Sequence, residues 1–241
     1  MIRFFRHLRQ RLLANDKFSK YLLYAFGEIV LVMIGILLAL QVNNWNEDRK
    51  AKLAQTELLK GVMESLKADS TSFVGAQNSL ESIQKLHQDL YQYSLGKIEA
   101  DEIWNLHLIR RSSALTPVTR VNYPDLANQI KDEELKKAVL RYYQIMDLMA
   151  FNEDNFNAIV EDQVRTFLAE KKLLNFAYQG DQNEPWKVIH LDRFVEEMKN
   201  EDLMQLIFNV KVKVDLFHSQ IGNALEQYQV LKPLINRLIE D

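Results

Sequence analysis

The chain has no cysteine, so it holds no disulfide framework and no thiol chemistry. Only seven glycines and four prolines occur in 241 residues. No P-loop, no dinucleotide-binding glycine pattern and no G-x-S-x-G elbow is among them, which removes the common phosphate-cradling and hydrolase signatures. The five histidines, His7, His87, His107, His190 and His218, form no HExxH and no i, i+4 pair, so no local pattern supports a metal site. Acidic residues around Gly180 lack the spacing and the turn glycine of a calcium loop. With no catalytic motif the expectation is a protein that is not an enzyme and uses no cofactor. A basic excess is missing too. The net charge is −3. Six basic residues precede Asn46 against Asp16 and Glu28, leaving 24 basic and 31 acidic residues in the remainder. An acidic main body argues against nucleic acid as a partner, because phosphates demand a basic footprint.

What is present is one long apolar run, Tyr21 to Val42, with Glu28 its one charge. At about 1.5 Å per residue it matches a hydrocarbon core about 30 Å thick. The expectation is a single transmembrane helix over 21–42, an uncleaved signal anchor, with the lipid bilayer as the first partner. Arg3, Arg6, Arg9 and Arg11 precede it. They place the N-terminus in the cytoplasm by the positive-inside rule, and the rest in the periplasm beyond the inner membrane. Phe5, Leu8 and Leu12 share one face of a helix over 1–14 while Arg3, Arg6 and Gln10 occupy the other. Segment 1–20 therefore reads as a basic amphipathic helix on the anionic leaflet, or as a basic tail that only sets topology. Tyr21 and Tyr24 on one side and Trp45 on the other suit the two membrane interfaces.

Glu28, Gly35 and Ala39 are spaced seven and eleven residues apart, within roughly 20° of one stripe at the helical period. Small residues beside an acid in a membrane helix point to close packing against another helix, in a homo-oligomer or another membrane protein. The competing readings are a protonated or headgroup-seeking Glu28, and an ion pathway.

The stretch KYLLYAFGEIVLVMIGILLALQVNNWNE resembles the N-terminal signature of a family of uncharacterised single-span membrane proteins of Bacteroidota, known only as a domain of unknown function. In that family the basic-aromatic start, the Gly-Glu in the span and the Asn-Asn-Trp-Asn exit recur together. The resemblance is specific over residues 1–50 and continues loosely through Tyr123, Leu126 and Tyr142-Tyr143. Relatives often read Ser-Ser-Gly where this chain has Ala127-Asn128-Gln129, so a binding role for that turn is not carried over. The resemblance implies a location and an architecture, and no activity.

Residues 43–241 form the expected extracytoplasmic domain. Leu59, Val62, Leu66, Asp69, Phe73, Ala76, Leu80, Ile83, His87 and Leu90 keep a 3-4 spacing without proline. They predict a helix over about 47–94 that ends near Gly96. Asp69 and His87 sit on this seam, where a polar residue sets register more often than it carries chemistry. A second helix is expected over about 131–178, with Glu153 interrupting its apolar seam; Tyr142, Tyr143, Phe151 and Phe156 read as core or as a cavity lining. A third is expected over about 201–240, where Leu203 to Leu238 repeat at 4-3 spacing. The connector between the first two carries Pro117 and Pro124, and its Arg110, Arg111, Arg120 and Tyr123 make either an anion or partner site or a solvated tip. The predicted fold is all-α: one N-terminal transmembrane helix followed by an elongated antiparallel helical bundle. The expected function is a membrane-anchored assembly or partner-binding module, or a sensor-like ligand-binding bundle that signals through a partner.

Overall fold

The computed structural model describes residues 18–178, 180 and 185–240, with the backbone alone at 18–21 and 186. Among these residues the regular structure is helical, apart from one antiparallel bridge between Leu174 and Ile189. The α-helices are α1 (Phe18–Ser94), α2 (Val118–Asn122), α3 (Leu126–Gln129), α4 (Glu133–Ala158), α5 (Arg165–Glu170), α6 (Leu191–Glu197) and α7 (Glu201–Glu240). Contacts divide the chain into two units, 1–57 and 58–241, and α1 runs through both.

In the first unit α1 is apolar enough to cross a membrane, and none of its most apolar window is buried. No other described helix meets that test of length and apolarity. Among residues 22–42 only Tyr24 and Ala25 have even partial cover.

In the second unit, α1 keeps its seam inward. Leu59, Val62, Leu66, Asp69, Phe73, Leu80, Ile83, His87 and Leu90 are all buried. The helix ends in a Schellman motif: Gly96 takes φ +66°, its N–H donates to Tyr93, and the Lys97 N–H reaches back to Gln92 at 3.0 Å. A residue without a side chain tolerates that left-handed turn at little cost.

Helix α4 starts at Asp132, whose side chain accepts the Leu135 N–H at 2.8 Å as an N-cap. Its partner is α7. Contacts pair Glu134 with Arg237, Ala138 with Gln227 and Phe156 with Phe217, a falling order that makes the two helices antiparallel. Gln84–Asp215 and Glu81–His218 show the same order between α1 and α7. The facing seams bury Phe73, Tyr142, Phe156 and Phe217 completely or nearly so. Each such side chain contributes about 1.5–3 kcal/mol by leaving water.

The second helix is shorter than its apolar pattern predicts. α4 passes through a π-helical turn, Ile159–Val164, and helix formation ends at Glu170. The wider turn rotates the seam by a residue, so Val164 and Leu168 are buried while Phe167 is half-buried. Past Glu170 the chain turns at Lys172, with φ +54°, and runs extended to bridge Ile189.

The connector 111–117 has no regular structure. It is fastened by side chains from the helices beside it. Asp69 on α1 accepts the Val118 N–H at 2.6 Å and the Thr119 N–H at 3.1 Å, both at the start of α2, and the Tyr142 hydroxyl at 2.9 Å. Glu153 accepts the Leu115 N–H at 2.8 Å. Asn157 bonds both the N–H and the C=O of Ser113, and Arg165 holds the Arg110 carbonyl and the Ser112 hydroxyl. These groups answer backbone donors and acceptors that no ladder satisfies. Asp69→Asn presents an amide to buried N–H donors and is expected to cost about 3 kcal/mol. Tyr142→Phe removes one bond and is expected to cost about 1–2 kcal/mol. Denaturant unfolding of the full chain in detergent measures both; an Asp69→Asn variant as stable as wild type would contradict the clamp.

Candidate functional site

Three regions carry the residues that the sequence singles out. In the first unit Glu28, Gly35 and Ala39 share one face of α1 because the helix is unbroken across them. Each is exposed, and a Cβ added at Gly35 would meet nothing within 4 Å. Trp45 is 65% exposed with the Arg49 guanidinium 5.7 Å from its ring. Tyr24 is partly covered. Arg3, Arg6, Arg9 and Arg11 lie outside the described residues, as does the side chain of Tyr21.

The connector residues divide into two places. Arg120 is engaged locally: its guanidinium stacks 4.3 Å above the Tyr143 ring, lies 3.7 Å from Asp147 and donates to the Pro124 carbonyl. Tyr123 is half-buried, and its carbonyl accepts the Tyr143 hydroxyl. The Tyr123 phenol rests on Gly61, where any Cβ would come within 2.4 Å of its oxygen. These contacts make 120–123 a packed corner. Arg110 and Arg111 instead line a cavity of about 360 Å³ with His107 and Arg165. Burial, then the charges of Arg111 and Arg110, hold the His107 imidazole below its ordinary range. Tyr142, Tyr143 and Phe156 are buried, whereas Phe151 is 64% exposed.

The third region is one the sequence marks only by a polar residue on a seam. His87 of α1 is 3% exposed, and neither ring nitrogen has a hydrogen-bond partner. It lines a groove of about 520 Å³ between α1 and α7, with Gln84, Tyr91, Met204, Ile207, Phe208, Lys211 and Asp215 around it. Burial pushes the His87 pKa down to about 4, against the raising effect of Asp215 and with the lowering effect of Lys211. Burial alone would raise the Asp215 carboxyl, but bonds from Lys211 and Gln84 hold it below the usual range. The imidazole is therefore neutral at physiological pH, and its one donor and one acceptor are enclosed without a hydrogen-bond partner among the described residues. Among the described residues no three His, Cys, Asp or Glu side chains are gathered as metal ligands.

Comparison with known proteins adds a family without a known role. Residues 28–97 match a family of unknown function, DUF6090. The match spans most of α1, from Glu28 through the Asp69 and His87 seam. A curated relative, an uncharacterized protein of Ureaplasma parvum serovar 3, is 23% identical over 171 residues, covering 68% of this chain. The chain spans about a fifth of that relative's length, 22%. No solved structure matches.

The depressed His87 pKa has a consequence for stability. Unfolding restores an imidazole that binds its proton near pH 6.5, so the unfolded chain takes up more protons between about pH 6.5 and 4. Stability from this group is full above that window and falls as pH drops through it, by on the order of 3 kcal/mol in all. His87→Leu removes the term. Relative to wild type, the leucine variant is expected to gain about 2 kcal/mol between pH 7 and pH 5 in denaturant unfolding. A difference that does not change with pH would contradict a neutral, unpartnered His87.

Proposed function

We propose that this protein is a membrane-tethered, non-catalytic binding module. In this reading residues 21–42 cross the inner membrane with the N-terminus in the cytoplasm. Residues 43–241 extend into the periplasm, with an antiparallel helical bundle as their body. The Glu28–Gly35–Ala39 stripe packs against a second membrane helix, from another copy or from a different membrane protein. Assembly through that stripe and display of the bundle are its work.

The observation that carries the reading is that the described residues bury none of the apolar window of α1. A helix that serves as the core of a soluble protein buries its apolar faces within the protein, and among the described residues this one does not. Lipid supplies the missing apolar surroundings. A carboxyl in such a stretch faces protein or water rather than hydrocarbon, where a charge costs several kcal/mol. The small residues on the same stripe let a neighbouring backbone approach that carboxyl closely. The stretch that matches a family of unknown function, residues 28–97, includes Glu28, Gly35 and Ala39.

A second reading, a sensor-like bundle that takes a ligand and signals through a membrane partner, draws on the groove at His87. The two are compatible, since both need the tether and a companion helix.

Because the chain has no cysteine, a single introduced thiol carries a label to one place. A benzophenone maleimide on Gly35→Cys, irradiated in native membranes, is expected to give an adduct of raised mass. The same label on Leu37→Cys, on the opposite side of the helix, is expected to give little. No adduct from Gly35→Cys, or equal adducts from both, would overturn packing through the stripe.

A further inference from the structure

We propose that the cavity walled by His107, Arg110, Arg111 and Arg165 binds a phosphate monoester, its dianionic group held by the Arg110 and Arg111 guanidinium groups. This goes beyond both readings above. The cavity is not the groove at His87, and its walls lie in the second unit, so the site stands or falls apart from the tether.

Charge balance is the first observation. Three arginines line one cavity of about 360 Å³, and among the described residues no acidic side chain lines it with them. Arg165 has its charge offset by Glu161 at 3.6 Å, and it spends its donors on the Arg110 carbonyl and the Ser112 hydroxyl. The Arg110 and Arg111 side chains have no hydrogen bond or ion pair among the described residues. Arg120 on the same connector shows the contrast, with Asp147 and the Tyr143 ring to hold it. The unmatched charges are felt inside the cavity, where they add to burial in holding the half-buried His107 imidazole below its ordinary range.

Access is the second observation. Arg111 is exposed, and Arg110 is half-buried with none of its side-chain nitrogens closed off from solvent. A ligand in the cavity can therefore meet both guanidinium groups. The third observation is that the backbone beneath them is fastened. The Arg111 N–H donates to the Leu108 carbonyl at 3.1 Å, Arg165 Nε donates to the Arg110 carbonyl at 3.2 Å, and Asn157 bonds Ser113 through both its N–H and its C=O. Two adjacent cations leave one anchored turn, which a ligand does not have to order.

Two unmatched positive charges select the ligand. A carboxylate or a sulfate ester brings one negative charge and leaves one cation unanswered. A phosphate monoester carries close to two near neutral pH, and its three acceptor oxygens can serve two guanidinium forks. Tyr178, Pro185 and Val188 complete the wall, and the volume falls within the range of small-molecule sites. There is room for the organic body of an ester as well as for its phosphate.

Equilibrium dialysis of radiolabelled phenyl phosphate against the full chain in uncharged detergent micelles tests this. Saturable binding is expected, about tenfold tighter or more than that of phenyl sulfate, a monoanion of similar shape. Arg110→Gln and Arg111→Gln are each expected to weaken it about tenfold or more. Neither should move the melting temperature, since neither guanidinium bonds another described group. Lys67→Gln removes the same charge from an exposed position outside the cavity, and binding is expected to be unchanged. Dihexanoyl phosphatidic acid as competitor separates two sources of the group. Displacement no better than by unlabelled phenyl phosphate identifies a soluble ester, and displacement about tenfold better identifies a lipid headgroup; either result keeps the assignment. No saturable binding at millimolar phenyl phosphate, equal binding of phenyl sulfate, or equal weakening by Lys67→Gln would overturn it.

Discussion

Between Leu22 and Val42 almost every side chain is apolar, and the described residues bury none of the most apolar window. That constraint governs the rest. Apolar surface removed from water is worth roughly 25 cal/mol per Å², so a bare helix of this length does not persist alone in water. It needs lipid or another helix, and the proposed tether follows from that need before any residue of the larger unit is considered. Glu28 lies in the same apolar stretch, where an ionisable residue faces protein or water rather than lipid.

The larger unit poses a different problem: a connector without secondary structure runs beside packed helices. Its backbone groups need partners, and the partners are side chains set into otherwise apolar seams. Asp69 joins three elements at once, α1 through its own backbone, α2 through two amides and α4 through Tyr142. Burial and the Asp69 carboxyl hold the Tyr142 phenol far above its ordinary range, so it keeps its proton and donates it to Asp69. Glu153, Asn157 and Arg165 extend the fastening along α4 and α5. His87 occupies a similar seam position and has no such partner, which is what sets it apart from the structural polar residues around it.

The helical seams were legible because burial writes itself as 3-4 spacing, and nearly all of the positions so marked in α1 and α7 are buried. Gly96 announced the end of α1 because the turn there takes a positive φ. The end of α5 carried no such sign. Its Schellman turn falls on Lys172, with Leu173 reaching back to Leu168, and Leu173, Leu174 and Phe176 imitate a continuing apolar pattern. The π turn was invisible for a similar reason, since one residue of rotation leaves apolar spacing nearly intact. Asp69, Glu153 and His87 showed as breaks in pattern, yet their partners could not be read. Those partners are backbone amides of the connector and of the start of α2, with the Tyr142 hydroxyl for Asp69, or, for His87, absent. Arg110, Arg111, Arg120 and Tyr123 looked like one group by proximity in sequence, and the packing of Arg120 on Tyr143 separates them.

The account rests on α1 passing through lipid with the larger unit on the far side. Substituted-cysteine labelling reads this directly, since the native chain contributes no thiol of its own. A membrane-impermeant maleimide added to spheroplasts is predicted to label Glu226→Cys at once and Gln10→Cys only after lysis. Labelling of Gln10→Cys alone in intact spheroplasts, or protection of Glu226→Cys until lysis, would contradict the placement and the function drawn from it.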